Sequence, residues 1–146
     1  MGVLDADLKI LFANLDDAID SVMQMEMTDE VKQTIREHAY DDVYSYEPRF
    51  YSRRKESDGI ADKDNMDDQY ERQTKTLTVT ETAEFQQLWG GERPTYTTLA
   101  DVIEKGSEKF YMGRAGKRPF VRNAQKELNH GVADKVLQAG LKRRGF

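Results

Sequence analysis

The sequence predicts an α+β fold in which helices predominate: a helical N-terminal segment, a small antiparallel sheet and a long C-terminal helix. Three patterns carry that expectation. Leu4, Leu8, Leu11, Leu15, Ala18, Val22 and Met25 recur at alternating steps of four and three, the period of an amphipathic helix. Thr76, Thr78 and Thr80 alternate with Leu77 and Val79, a β-branched period of two that suits a strand with one apolar face. After Pro119, an apolar stripe of Phe120, Val121, Ala124, Leu128, Val132, Val136, Leu137 and Leu141 again has helical spacing.

The first stripe holds for about three heptads, short of what a coiled coil demands, so packing on its own domain is expected. Thr28 is placed to cap a second helix, with Asp29 and Glu30 in its first turn. Val31, Ile35, His38 or Ala39, and Val43 continue a second stripe, giving either a helical hairpin or one long helix bent near Met27. Pro48 disfavours helix at Glu47 and should end this part. The stretch 49–72, rich in Arg, Asp and Ser, reads as a long loop. Leu88-Trp89-Gly90-Gly91 reads as a turn with an aromatic anchor, and Phe110, Tyr111 and Met112 as a further strand. Thr98 should cap a short helix over 99–105 closed by Gly106, and Gly113 to Arg118 form a cationic loop. Pro119 suits a helix start, Gly131 and Gly140 weaken or bend the last helix, and Gly145 ends it.

At 146 residues the chain has the size of one domain, 1–146. Cysteine is absent, which excludes disulfide scaffolds, thiolate metal clusters and a cysteine nucleophile. No apolar run approaches the roughly 18 residues of a membrane span, and no basic segment with an apolar block opens the chain, so synthesis in the cytoplasm and no membrane partner are expected. The net charge of -5 conceals a gradient: residues 1–47 carry -9, residues 48–100 carry -2 and residues 101–146 carry +6. Opposite ends of this kind pair within one fold or attract a neighbouring copy head to tail. The acidic balance speaks against sequence-specific DNA binding.

The residues that could carry chemistry do not assemble into a known constellation. Asp62, Asp64, Asp67 and Asp68 suggest a calcium loop, but Met66, Asp67 and Gln73 occupy positions where its pattern needs an oxygen ligand, Gly and Glu. A solvated acidic loop fits better. His38 and His130 lack metal-ligand spacing, and neither is given a role. No catalytic, cofactor-binding or metal site is expected, and the chain is read as a non-enzyme. The tyrosines from Tyr40 to Tyr51, followed by Arg53 and Arg54, have the composition of a protein interface, or they cover the core at a helix end.

Tyr44-Ser-Tyr-Glu-Pro-Arg-Phe-Tyr-Ser-Arg-Arg54, followed by Gly59-Ile-Ala-Asp62 and Asn65, resembles a signature of small structural proteins in tailed bacteriophages and prophages of Gram-positive bacteria. Leu99 to Gly106, with Arg118-Pro-Phe-Val-Arg122 opening a helix that ends at Gly145, is similar to the C-terminal half of phage tail-completion or head-tail joining (neck) proteins. The resemblance implies an α+β virion subunit that forms a ring, possibly a hexamer, at the head-tail junction or tail end. Its implied partners are copies of itself and neighbouring connector, stopper or tail-tube proteins, with at most non-specific contact to DNA in the channel. Tyr44, Tyr51, Arg53, Arg54, Asp62 and Asn65 are then an interface or a loop brace in which an arginine clamps Asp62. Arg118, Pro119 and Phe120 set the entry of the last helix, and Arg114 and Lys117 are candidates to face the channel. The rival reading is a small acidic phage-encoded protein that inhibits a host or nucleic-acid-handling partner by presenting its acidic first third.

Overall fold

The computed structural model describes residues 3–45, 59–83, 98–105 and 118–146. The N-terminal stripe forms one continuous helical spine. Helix α1 (Val3–Val22) passes through a π-turn (Met23–Met27) into α2 (Thr28–His38), and a second π-turn (Ala39–Tyr44) completes it. Right-handed helical dihedrals persist at Val22, Met27, Thr28, His38 and Ala39, so no hairpin forms. Thr28 is therefore not a cap. Its hydroxyl donates instead to the Met23 carbonyl across the first π-turn, at 2.9 Å. The place near Met27 where a bend was anticipated holds this π-turn, a wider loop of helix that locally changes the backbone ladder.

The stretch 59–72, expected as loop, contains a short 3₁₀ turn (Lys63–Asn65) and strand β1 (Met66–Glu71). Strand β2 (Thr76–Glu81) pairs antiparallel with it, Met66 opposite Glu81 and Glu71 opposite Thr76. Sequence reading missed β1 because Asp67, Asp68 and Glu71 are poor strand formers, and its pairing comes from β2. The register puts Met66, Asp68, Tyr70, Leu77, Val79 and Glu81 on one face of the hairpin and the three exposed threonines on the other.

Helix α3 (Leu99–Lys105) begins where predicted, with the Asp101 amide donating to Thr98 Oγ1 at 3.3 Å. Helix α4 (Phe120–Glu127) packs on α2, and α5 (Ala133–Arg143) returns along the first π-turn and α1. The long C-terminal helix is broken between them, where Gly131 adopts φ +104 after a non-helical His130. A left-handed residue cannot continue an α-helix, and glycine takes that conformation without Cβ strain. Gly145 adopts φ +90 at the end of α5, and the Phe146 and Gly145 amides return to the Leu141 and Lys142 carbonyls in a Schellman turn.

The main core joins Ile35, Ala39 and Val43 of the spine to Ile60 and Ala61, Met66, Ala83, Ala100, and Phe120 and Ala124 of α4. A second contact lies further down the spine, where Gly140 of α5 meets Val22 so closely that an added Cβ would stand 2.7 Å from both Val22 methyls. The Leu88–Gly91 turn, the 110–112 strand, the Gly106 cap, the 113–117 loop and the Pro48 stop lie outside the described residues.

Candidate functional site

The acidic first third is largely paired inside the molecule. Asp16, Asp17 and Asp20 stand on one side of α1, and the β1–β2 turn brings two cations to them. Arg72 reaches Asp17 at 2.6 Å and Asp20 at 2.5 Å, while Lys75 reaches Asp16 at 2.7 Å and Asp20 at 2.6 Å. The Tyr70 hydroxyl donates to Asp20 as well, at 2.7 Å. These bonds, led by Lys75, hold the Asp20 carboxyl below its ordinary range; burial and the carboxylate push the Tyr70 phenol up to about 12. The three aspartates have the spacing of a cation site, but protein cations already neutralise them.

A second brace closes the C-terminus onto the first π-turn. Arg144 makes parallel bonds to the two oxygens of Glu26, at 2.7 and 3.0 Å, and Arg143 adds a third at 3.3 Å. Arg144 also donates to Ser21 Oγ and the Gly140 carbonyl. Bonding to Arg144 outweighs partial burial and lowers the Glu26 carboxyl to about 2.

His38, which sequence analysis left without a role, bridges the spine to α4. Its Nδ1 lies 2.9 Å from Asp42 and its Nε2 2.6 Å from Glu127, and Asn123 donates to the same Asp42 oxygen. Burial opposes the imidazolium, but the two carboxylates prevail and its pKa is raised. The i,i+4 spacing of His38 and Asp42 was visible in the sequence; Glu127, 89 positions away, was not.

Of the residues singled out beforehand, Asp62 and Asn65 come together in one turn. Asp62 accepts from the Asp64 amide, Asn65 Nδ2 donates to the Gly59 carbonyl at 3.1 Å, and the Asn65 carbonyl receives both the amide and the hydroxyl of Thr82. This turn seats Ile60 and Ala61 in the core, beside Glu81. Glu81 is buried; its Oε1 accepts from the Ala83 amide and its Oε2 has no hydrogen-bond partner among the described residues. Burial, with Asp62 nearby, pushes its carboxyl up to about 8. Tyr44 stacks edge-on against Tyr40, ring centroids 5.5 Å apart, and both rings pack on the core. Pro119 precedes α4 and Phe120 is fully buried, while Glu104 of α3 accepts from the Val121 and Arg122 amides at the helix start. Arg118 joins α3 through its amide, bonded to the Ile103 carbonyl. Tyr51, Arg53, Arg54, Arg114 and Lys117 lie outside the described residues.

Among the described residues, one surface is not paired to any other element. From Ala6 to Asn14 every residue of α1 is exposed, including Leu8, Ile10, Leu11 and Phe12, the last at 63 %. The expectation that the first stripe packs on its own domain holds for Ala18 and Val22 and fails for this arm. The reason, among the described residues, is that α5 ends in its Schellman turn beside Ser21 and Glu26, short of this arm. An exposed apolar helix face of this kind is a surface for protein contact.

No curated protein and no solved structure matches the chain. The family described as YomN matches residues 7–143, which include nearly all of the exposed arm, the Asp16, Asp17 and Asp20 brace with Arg72 and Lys75, and the Gly59–Asn65 turn. The chain therefore belongs to the YomN family, a phage- and prophage-associated family.

Proposed function

We propose that this chain is a non-enzymatic structural protein of a tailed-phage virion, assembling as a ring at the head-tail junction or tail end to complete or join the tail. The observation that carries the reading is the exposed apolar arm of α1 on a body whose other described elements are braced to one another. Such a part contributes by contact, and membership of a phage-associated family supplies the setting. Its partners are copies of itself and neighbouring connector, stopper or tail-tube subunits. The inhibitor reading needs carboxylates free to imitate nucleic acid, and the pairing of Asp16, Asp17, Asp20 and Glu26 with Arg72, Lys75, Arg143 and Arg144 disfavours it.

The test is deletion of the gene from the phage or prophage that encodes it, with mass spectrometry of purified wild-type particles. The expected result is the protein in the particles, and filled heads separate from tails in the deletion lysate. Normal infectious particles from the deletion strain would sink the proposal.

A further inference from the structure

We infer that the apolar stripe on the α1 arm is covered by the same stripe of a second copy of this chain. The inference rests on reading the arm as an assembly surface and names what occupies it. Leu8, Leu11, Phe12 and Leu15 lie at i, i+3, i+4 and i+7, one face of the helix. That face continues the one on which Ala18 and Val22 are buried, where α5 supplies the covering helix. The spine thus already accepts a helix along this stripe, and among the described residues its outer half lacks one.

Charge is compatible with a second copy. Residues 1–15 carry a net -1, whereas residues 16–47 carry -8. Within the arm Lys9 pairs with Asp5 at 3.4 Å, so two arms meet with little repulsion on the part of the acidic third where that is possible. The stripe is a leucine heptad, a pattern that is complementary to itself. Leu8, Leu11 and Phe12, exposed by 42, 49 and 63 %, present on the order of 300 Å² of apolar area. A stable interface takes about 800 Å² from each partner. The contact alone is therefore weak and concentration-dependent, and becomes firm when other contacts already hold the copies together.

The chain has no cysteine, so a single introduced thiol reports contacts without background. Leu11→Cys should couple to a second copy through a short bis-maleimide, and Met25→Cys, more exposed but beyond the arm, should not. Sedimentation velocity of the full wild-type chain should show association that rises with concentration. The combined Leu8→Gln, Leu11→Gln and Phe12→Gln variant should weaken it at least tenfold with an unchanged melting temperature. A monomer throughout the micromolar to millimolar range, equal coupling at Met25→Cys, or association untouched by the triple variant would each overturn the inference. Virion content, read separately, decides the proposed function without bearing on these results.

Discussion

Three side chains make stability depend on pH in distinguishable ways. Glu26 has a folded pKa of about 2, below its ordinary 4.5, so the stability it contributes is present above pH 4.5 and is lost as pH falls toward 2. Glu26→Gln should lower the melting temperature at pH 7, and the gap to wild type should narrow progressively below pH 4.5, as thermal circular dichroism will show. His38 behaves oppositely. With a carboxylate at each ring nitrogen, both nitrogens must carry a proton to satisfy the pair, which only the imidazolium does. Its raised pKa means that its contribution is complete below pH 6.5 and is lost as pH climbs through the folded value. His38→Gln should therefore cost more stability at pH 6 than at pH 9 in paired melts. Glu81, neutral in the fold up to about pH 8, also contributes most at low pH, because ionisation of the unfolded chain draws stability away from pH 4.5 upward. Glu81→Gln should stabilise the protein at pH 8 by about 1 kcal/mol or more and have little effect at pH 4. A variant no more stable than wild type at pH 8 would count against a buried neutral acid.

Two glycines, one inside α5 and one in the break before it, act for different reasons. At Gly140 an alanine would gain about 1 kcal/mol of helix propensity. It would also press a methyl against Val22, a stiff β-branched side chain that is fully buried. Overpacking of this kind costs about 1–3 kcal/mol, so Gly140→Ala should destabilise on balance. Pairing it with Val22→Ala should recover part of the loss in a double-mutant cycle of denaturant midpoints. At Gly131 there is open space and only the positive φ resists a side chain. Gly131→Ala should cost about 1–2 kcal/mol, and no change at Val22 should relieve it. These elements also show what sequence can tell. The α1 stripe, the threonine strand and the Thr98 cap were legible because their signals lie within a few residues. Strand β1 was not, since its pairing with Thr76–Glu81 and the Lys32–Asp68 ion pair at 2.5 Å override poor local propensity. The exposed arm shows a further limit: periodicity identifies an apolar face, but what covers it depends on where α5 ends.

Across the whole molecule, the charge gradient resolves into internal pairing. The basic C-terminal third supplies Arg143 and Arg144 to Glu26, and the hairpin supplies Arg72 and Lys75 to α1. Head-to-tail attraction between copies is thus weaker than a net -9 against +6 suggested. The spine then has two regimes of protection. The spine from Ala18 to Val43 packs against the hairpin, α4 and α5, whereas the part before Leu15 is exposed and packs on no other described element. Hydrogen exchange of the isolated monomer should therefore be fast up to about Asn14 and slow beyond Ala18, with a boundary that moves outward once copies associate.

The π-turns carry a consequence for how this chain tolerates length change. Elsewhere in the spine, losing one residue would rotate everything on one side by about 100° and turn buried faces toward water. A π-turn holds one residue more than an α-helical turn needs, so a deletion inside Met23–Met27 tightens that turn and leaves the flanking faces in phase. Gln24 and Met25 are exposed there, and either is where a shortened homologue would find its missing residue at least cost to the fold.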